Sequence, residues 1–292
     1  MKKFIVATDS GCDLSKEICL EKDIKMLYMT YELNGNLVKD TMELSDIKAY
    51  YRGMENGDQP HTGAVNIADY LEFWSSVYEN LPIIHITLGS GISGTYMNAT
   101  LAREEFLKDH PEAEIFICDS TLASTSYGML SLKASELRDE GLSAEEALNK
   151  LNELKPKINA YYTTDDLSYL YRGGRVSRGG KIVAHALGIS PILNLDDKGQ
   201  LKKFDMCRGK RATMKRMKEI VKELVINPEE QTLYISHSDI YDFAESFGKE
   251  AVEELGFKDY KTFYIGTTIG AHTGPGLIAL FFVGKERTPA KK

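Results

Sequence analysis

The sequence predicts an α/β protein of two domains, an N-terminal α/β/α unit with a mainly parallel sheet and a C-terminal α/β unit with a mixed sheet. Three observations predict it. Short β-branched apolar runs starting near residues 4, 25, 83 and 114 alternate with helical stretches, the pattern of parallel strands covered on both faces. After Pro156 helices become fewer and strands more numerous, which places a boundary there. A chain of 292 residues is comfortable for two packed cores. The expected division is residues 1–155 and 156–286 with a tail at 287–292, the loop and helix of 57–80 being a segment that could pack on the second domain.

Taken in order, Phe4 to Thr8 reads as a first strand running into the polar turn Asp9-Ser10-Gly11-Cys12-Asp13-Leu14, with Ser15 as N-cap of a short helix. Lys25 to Leu33 reads as one strand, and Asn34-Gly35-Asn36 as a tight turn into Leu37 to Lys39. Ser45 to Met54 has helical periodicity. A turn-rich loop, Gly57 to Asn66, leads to the amphipathic helix Ile67 to Glu79. Ile83 to Thr87 is a buried strand feeding the glycine turn Leu88-Gly89-Ser90-Gly91-Ile92-Ser93-Gly94, and a helix follows from Thr95. Ala113 to Cys118 is a strand ending in Asp119-Ser120. Helices from Ala123 to Asp139 and Ser143 to Leu154 close the first half, the second with a capping box of Ser143 and Glu146. Beyond the boundary, strands are expected at Ile158 to Thr163, Pro191 to Leu195, Leu201 to Phe204, Gln231 to His237, Tyr260 to Ile265 and Leu277 to Val283. Helices are expected at Asp166 to Tyr171, Lys210 to Val225 and Tyr241 to Leu255.

Composition narrows the function classes. A net charge of −7 disfavours a nucleic-acid partner, which would need many phosphates neutralised by Lys or Arg. No apolar run reaches the length of a membrane span, and the start is a strand and not a signal peptide, so a cytoplasmic protein is expected. The four cysteines form no C-x-x-C pair and have no histidine at zinc spacing, so buried thiols are expected, and neither a metal nor a cofactor.

The residues that could carry chemistry cluster after strands. Glycines let the backbone at 89–94 come close to a ligand, and the first N–H groups of the following helix suit an anion, with Ser90 and Ser93 in the turn. Asp9, Ser10 and Ser120 follow the same strand–turn logic and are candidates to line the crevice beyond the strand ends; hydrogen bonding within the turns is their other reading. Thr62, a loop hydroxyl ahead of a helix, reads from position alone as a cap or turn former. From Tyr171 to Lys181, four cations and four glycines share eleven positions without a nucleotide-binding pattern. That segment reads as a phosphate binder, a capped helix end, or a loop offering arginines to a partner. His272 sits among Gly270, Gly274, Pro275 and Gly276, which predicts a positioned imidazole on a turn between strands. A serine-hydrolase elbow fails, because Thr95 stands where the last glycine of G-x-S-x-G belongs around Ser93, and Leu88 stands at the first glycine position around Ser90.

Asp9-Ser10 with Cys12-Asp13-Leu14, the GSGISGTY stretch, Asp119-Ser120, Leu170-Tyr171-Arg172-Gly173-Gly174-Arg175, Pro191-Ile192-Leu193 and His272-Thr273-Gly274-Pro275-Gly276 together resemble the DegV family, in the same order, from residue 4 to about 284. The resemblance implies a carrier that buries one long-chain fatty acid in a tunnel at or near the domain junction. It further implies that Thr62 and Ser93 hydrogen-bond the carboxylate, with the N–H groups of Gly94 and Thr95 in support and His272 nearby. Arg172 would then face a fatty-acid kinase that phosphorylates the bound acid to an acyl-phosphate. The chain departs from the family pattern after the shared Thr62, reading Thr62-Gly63-Ala64-Val65 where the family commonly has T-S-Q-P, and at Gly89 and Ser190. The first departure implies a looser loop; the others bear on ligand preference and docking. The alternative is a hydrolase or transferase acting on a small acylated or phosphorylated substrate through Ser93 and His272.

Overall fold

A computed structural model describes residues 2–164, 166–176 and 188–287. The first half contains β1 (Ile5–Asp9), α1 (Lys16–Glu21), β2 (Ile24–Leu27), β3 (Thr30–Leu33), β4 (Asn36–Lys39), α2 (Leu44–Glu55), β5 (His61–Thr62), α3 (Ile67–Val77), β6 (Ile83–Thr87), α4 (Thr95–Asp109), β7 (Ile115–Asp119), α5 (Thr125–Asp139) and α6 (Ala144–Leu154). Strands β2-β1-β6-β7 form a sheet in that order, every pairing parallel. Every residue of β1 and β6 is buried, as strands covered by helices on both faces require. The second half contains β8 (Ile158–Thr163), α7 (Ser168–Arg172), β9 (Ile189–Leu195), β10 (Leu201–Arg208), α8 (Lys210–Leu224), β11 (Thr232–His237), α9 (Tyr241–Leu255), β12 (Asp259–Tyr264), α10 (Thr267–Thr273) and β13 (Ile278–Val283). Its sheet has the order β10-β9-β8-β13-β11-β12 and is mixed, antiparallel except where β11 meets β12. The α/β class with one parallel and one mixed sheet is therefore as the sequence predicts.

The layers share their interior. Helices α3 and α4 cover the outer face of the parallel sheet through Tyr70, Trp74, Ala99 and Phe106, and α8 and α9 cover the outer face of the mixed sheet through Met217, Ile220, Ala244 and Phe247. Between the sheets lies α5, buried along most of its length. Around it one continuous core joins Val6, Ile84 and Ile86 of the first sheet to Ala160, Ala279 and Phe281 of the second. The two sheets are thus held by one buried apolar interior, with α5 as the shared layer. Among the described residues, no helix is long and apolar enough to cross a membrane.

Several sequence expectations need correction. The strand expected from Lys25 to Leu33 is broken at Tyr28–Met29, because Ser10 Oγ accepts the Met29 N–H and the Met29 carbonyl accepts the Asp40 N–H. Those bonds turn the chain from the parallel sheet into a small antiparallel sheet, β4-β3-β5. Of the 57–80 segment, the helix α3 packs on its own sheet while the loop meets the second half where Thr62 contacts His272; α2 also reaches the second half, Tyr51 Oη donating to the Ile265 carbonyl at 2.9 Å. In the loop Gly63-Ala64-Val65, Val65 is buried and its carbonyl accepts from Asn98 Nδ2 at 2.8 Å, whereas Gly63 and Ala64 are exposed. Arg287, assigned to the tail, is buried, and its guanidinium donates to the carbonyls of Thr121 and Asp196 from the two halves. Residues 288–292, the remainder of that tail, lie outside the described residues.

Candidate functional site

Strand ends of the first sheet and one face of the second enclose an apolar cavity. Met29, Leu88 and Ala123 reach it just after β2, β6 and β7, where an open α/β sheet collects its ligands. Ala160 and Tyr162 of β8, Leu195 of β9 and Ala279 and Phe281 of β13 form the opposite wall. Side chains two apart on a strand share a face, which is why 160 and 162, and 279 and 281, recur in step. Its empty space, open solvent at the mouth included, is about 780 Å³.

Hydroxyls gather at one end. Thr62 is held in β5 by pairing with Tyr31, and its Oγ lies 2.6 Å from Nε2 of His272. Burial, aided by the Arg175 cation, pulls the His272 pKa down to about 4, so the ring is neutral at pH 7. Its Nδ1 is buried without a partner. An unmet acceptor there costs less than an unmet donor, which puts the proton on Nε2, donating to Thr62 and leaving the Thr62 hydroxyl hydrogen for a ligand. Ser93 is arranged to the same effect. Its Oγ accepts the Thr95 N–H at 3.2 Å and lies 2.8 Å from Thr95 Oγ. With the Thr95 hydroxyl donating to it as the Thr95 N–H does, the arrangement a bound anion would select, the Ser93 hydroxyl can donate onward at the start of α4, where the helix dipole favours an anion.

Long-range contacts position this end. His272 lies in the last turn of α10 and not on an interstrand turn as the flanking glycines predict. Carboxylates from the first half hold the start of that helix: Asp13 Oδ1 accepts the Gly266 N–H at 2.9 Å and Asp40 Oδ2 accepts the Thr268 N–H at 3.2 Å. They satisfy N–H groups that a helix start leaves unpaired and complement its positive end. Thr268, one turn before His272, also lines the cavity, and its buried Oγ has no partner.

On the other side of the hydroxyls the site opens outward. A hollow of about 540 Å³ is lined by Pro60, His61, Tyr169 and Arg172, and it shares Thr62, Arg175 and His272 with the apolar cavity. Arg175 is anchored there, donating to the carbonyls of Ile92 at 3.1 Å and Gly173 at 2.6 Å. Arg172 is exposed and lies 4.5 Å over the Tyr169 ring. Ser177 to Lys181, the rest of the basic segment, lie outside the described residues.

The structure thus brings together Thr62, Ser93 and His272, with Arg172 at the rim, and separates the others. Asp9 accepts from the Leu88 N–H and from Tyr127 Oη, Ser10 Oγ donates to Asp40, and Ser120 Oγ accepts the Leu122 N–H; none of the three lines the cavity. Their turn-forming bonds consume the groups that would have faced a ligand. Ser90 is likewise tied to Asp119, its Oγ donating at 2.6 Å. Gly94 is exposed and outside the cavity lining, and the Thr95 N–H acts through Ser93. Gly91 serves packing and not a ligand, because a Cβ there would overlap the backbone of Lys198 and Gly199 in the second half. Thr268, Arg175, Asp13 and Asp40 were missed as site residues. Arg175 and Asp13 carried a sequence signal, the first as the last residue of L-Y-R-G-G-R and the second within Cys12-Asp13-Leu14.

Three comparisons bear on this geometry. The family model described as an uncharacterised protein of the DegV family matches residues 3–285. A DegV domain-containing protein of Clostridium perfringens is 34% identical over 99% of this chain and 100% of its own. Among solved structures, DegV of Bacillus subtilis, titled a fatty acid binding protein, is similar with a TM-score of 0.85 at 25% identity, covering 98% of this chain and all of its own (100%). The fatty acid kinase (Fak) B3 protein of Streptococcus pneumoniae, loaded with linoleic acid, has the same fold at a TM-score of 0.83 and 19% identity, with 97% and 100% covered.

Proposed function

The chain belongs to the DegV family, and on that premise we propose that it is a non-catalytic carrier. It buries one long-chain fatty acid in the cytoplasm and presents the carboxylate to a fatty-acid kinase. The observation that carries this reading is an apolar cavity closed at one end by hydroxyls that also face an outer hollow. The tail supplies affinity at about 0.8 kcal/mol per buried CH₂. A dehydrated carboxylate must be paired, and the Thr62 and Ser93 hydroxyls, the Thr268 hydroxyl, the Arg175 cation and the start of α4 are the groups placed to do it. No bond to the protein is needed, so the head group stays reachable from the outer hollow.

The hydrolase or transferase reading has less support. A nucleophile–base pair would place His272 on Ser93 and a third group on Nδ1, whereas Nε2 meets Thr62 and Nδ1 has no partner. The linoleate-loaded pneumococcal neighbour, named as part of a fatty acid kinase, is in keeping with a kinase partner.

Mass spectrometry of lipid extracted from the folded protein is expected to return a long-chain acid, and a protein free of acyl chains that takes none up would overturn the reading. Thr62→Ala and Ser93→Ala should each weaken fatty-acid binding roughly tenfold or more, since each removes a hydrogen bond to a charged group. Retention equal to wild type would remove these two residues from the head-group site. With the kinase present, Arg172→Ala is expected to slow acyl-phosphate formation far more than it reduces fatty-acid retention; equal losses in both would place Arg172 in ligand binding instead.

A further inference from the structure

We infer that the cavity selects acyl chains bearing a mid-chain hydroxyl, recognised by Tyr162, an inference that rests on the fatty-acid reading above. Tyr162 lines the cavity from β8 and is 8% exposed, and its Oη is buried with no hydrogen-bond partner. A buried tyrosine hydroxyl usually finds a partner, because leaving it dry forfeits its bonds to water. An unmet one on the wall of a ligand cavity is accounted for when the ligand brings the missing group.

The place of this hydroxyl along the cavity follows from strand register. Tyr162 is level with Leu193 on one side and Ala279 on the other. Along the chain after His272, the cavity-lining residues Leu277, Ala279 and Phe281 follow one another in two-residue steps, each of about 6.7 Å. Tyr162 therefore stands at the middle step, beyond the head group and before Phe281. Its neighbours there, Ala279 across the sheet and Ala160 on the same face of β8, are small, which leaves room beside the phenol for a substituent on the chain. The other orphan polar atoms of the cavity, Thr268 Oγ and His272 Nδ1, belong to α10 and the head-group end. Tyr162 is thus a separate polar point on the apolar part of the wall. A saturated chain leaves its hydroxyl unpaired, and a cis double bond offers only a weak π acceptor. A chain hydroxyl can accept from Tyr162 or donate to it, so it supplies the missing hydrogen-bond partner.

The experiment is competitive displacement from the full-length protein by stearic acid, oleic acid and hydroxystearic acids substituted at successive mid-chain carbons, repeated with Tyr162→Phe. At least one hydroxystearic acid is expected to bind wild type about tenfold tighter than stearic acid, with Tyr162→Phe bringing that ratio to about one. Three results would overturn the inference: stearic acid binding as tightly as every hydroxy isomer, a hydroxyl preference that survives in Tyr162→Phe, or oleic acid ranking first and losing its rank in the variant. If wild type binds none of these acids, the fatty-acid reading itself fails, an outcome distinct from binding without preference.

Discussion

Gly173→Ala is expected to weaken fatty-acid binding roughly ten- to a hundred-fold, the worth of one hydrogen bond to a charged group, without unfolding the protein. Gly173 follows α7 with φ −69 and ψ −8, a conformation open to any residue, so alanine brings no backbone strain. What it brings is a methyl group overlapping Nδ1 of His272 and 3.1 Å from its Cε1. The imidazole must swing away, and the 2.6 Å bond from its Nε2 to Thr62 Oγ is the contact it loses. Thr62 then has no fixed donor behind it, and its hydroxyl no longer points one hydrogen at the carboxylate. Because the whole effect passes through the ring, it should vanish when the ring is gone. In a His272→Ala background, Gly173→Ala is expected to change binding by less than about twofold, the non-additivity of two groups in direct contact. Equal losses from Gly173→Ala in both backgrounds would separate Gly173 from His272.

That contact also illustrates what the sequence could and could not disclose. Ser93 was legible locally: strand, glycine turn and helix start lie within one stretch, and the failed elbow around it pointed to recognition rather than attack. Its distinction from Ser90 was not local, since it depends on Asp119, 29 residues away, taking the Ser90 hydroxyl. Asp9 and Ser10 looked like ligand groups for the same reason Ser93 did, yet Tyr127 and Asp40 bind them from distant segments. His272 was legible as a position, but its helix was not. Glycines at 270 and 274 are turn signals in any local scan, whereas the helix is held from its other end by Asp13 and Asp40, 253 and 228 residues away from the N–H groups they accept. The fold class was readable because alternation of buried strands and helices is repeated many times over. The shared core around α5 was not, because which sheet each face of a helix meets is decided by tertiary packing.

Asp9→Asn is expected to gain stability relative to wild type as pH rises from about 4 to about 6. Asp9 is fully buried; desolvation pushes its pKa from 3.8 up to about 6, with the nearby Asp40 charge adding to the effect against hydrogen bonds from Tyr127 and the backbone of Leu88 and Gly11. Between those two values the folded protein holds a proton that the unfolded chain has released. At this group the native state therefore binds more protons than the unfolded state, and its contribution to folding stability declines through that window by about 3 kcal/mol at 1.36 kcal/mol per pKa unit, while His85, His237 and His272, whose pKa values burial lowers, act in the opposite direction in both proteins. Asparagine keeps the shape without the charge, accepting from the Leu88 N–H through its carbonyl and donating to Tyr127 Oη through its amide. Asp13, buried beside the start of α10, has its pKa raised in the same direction and remains in both proteins, so the difference between them reports on Asp9. Denaturant unfolding of both proteins at pH 4.5 and at pH 8, values chosen to bracket about 6, should find the variant gaining on wild type at the higher pH. A difference between the two proteins that is the same at both pH values would mean that Asp9 is charged in the fold throughout. In that case its hydrogen bonds outweigh the desolvation that the buried position imposes.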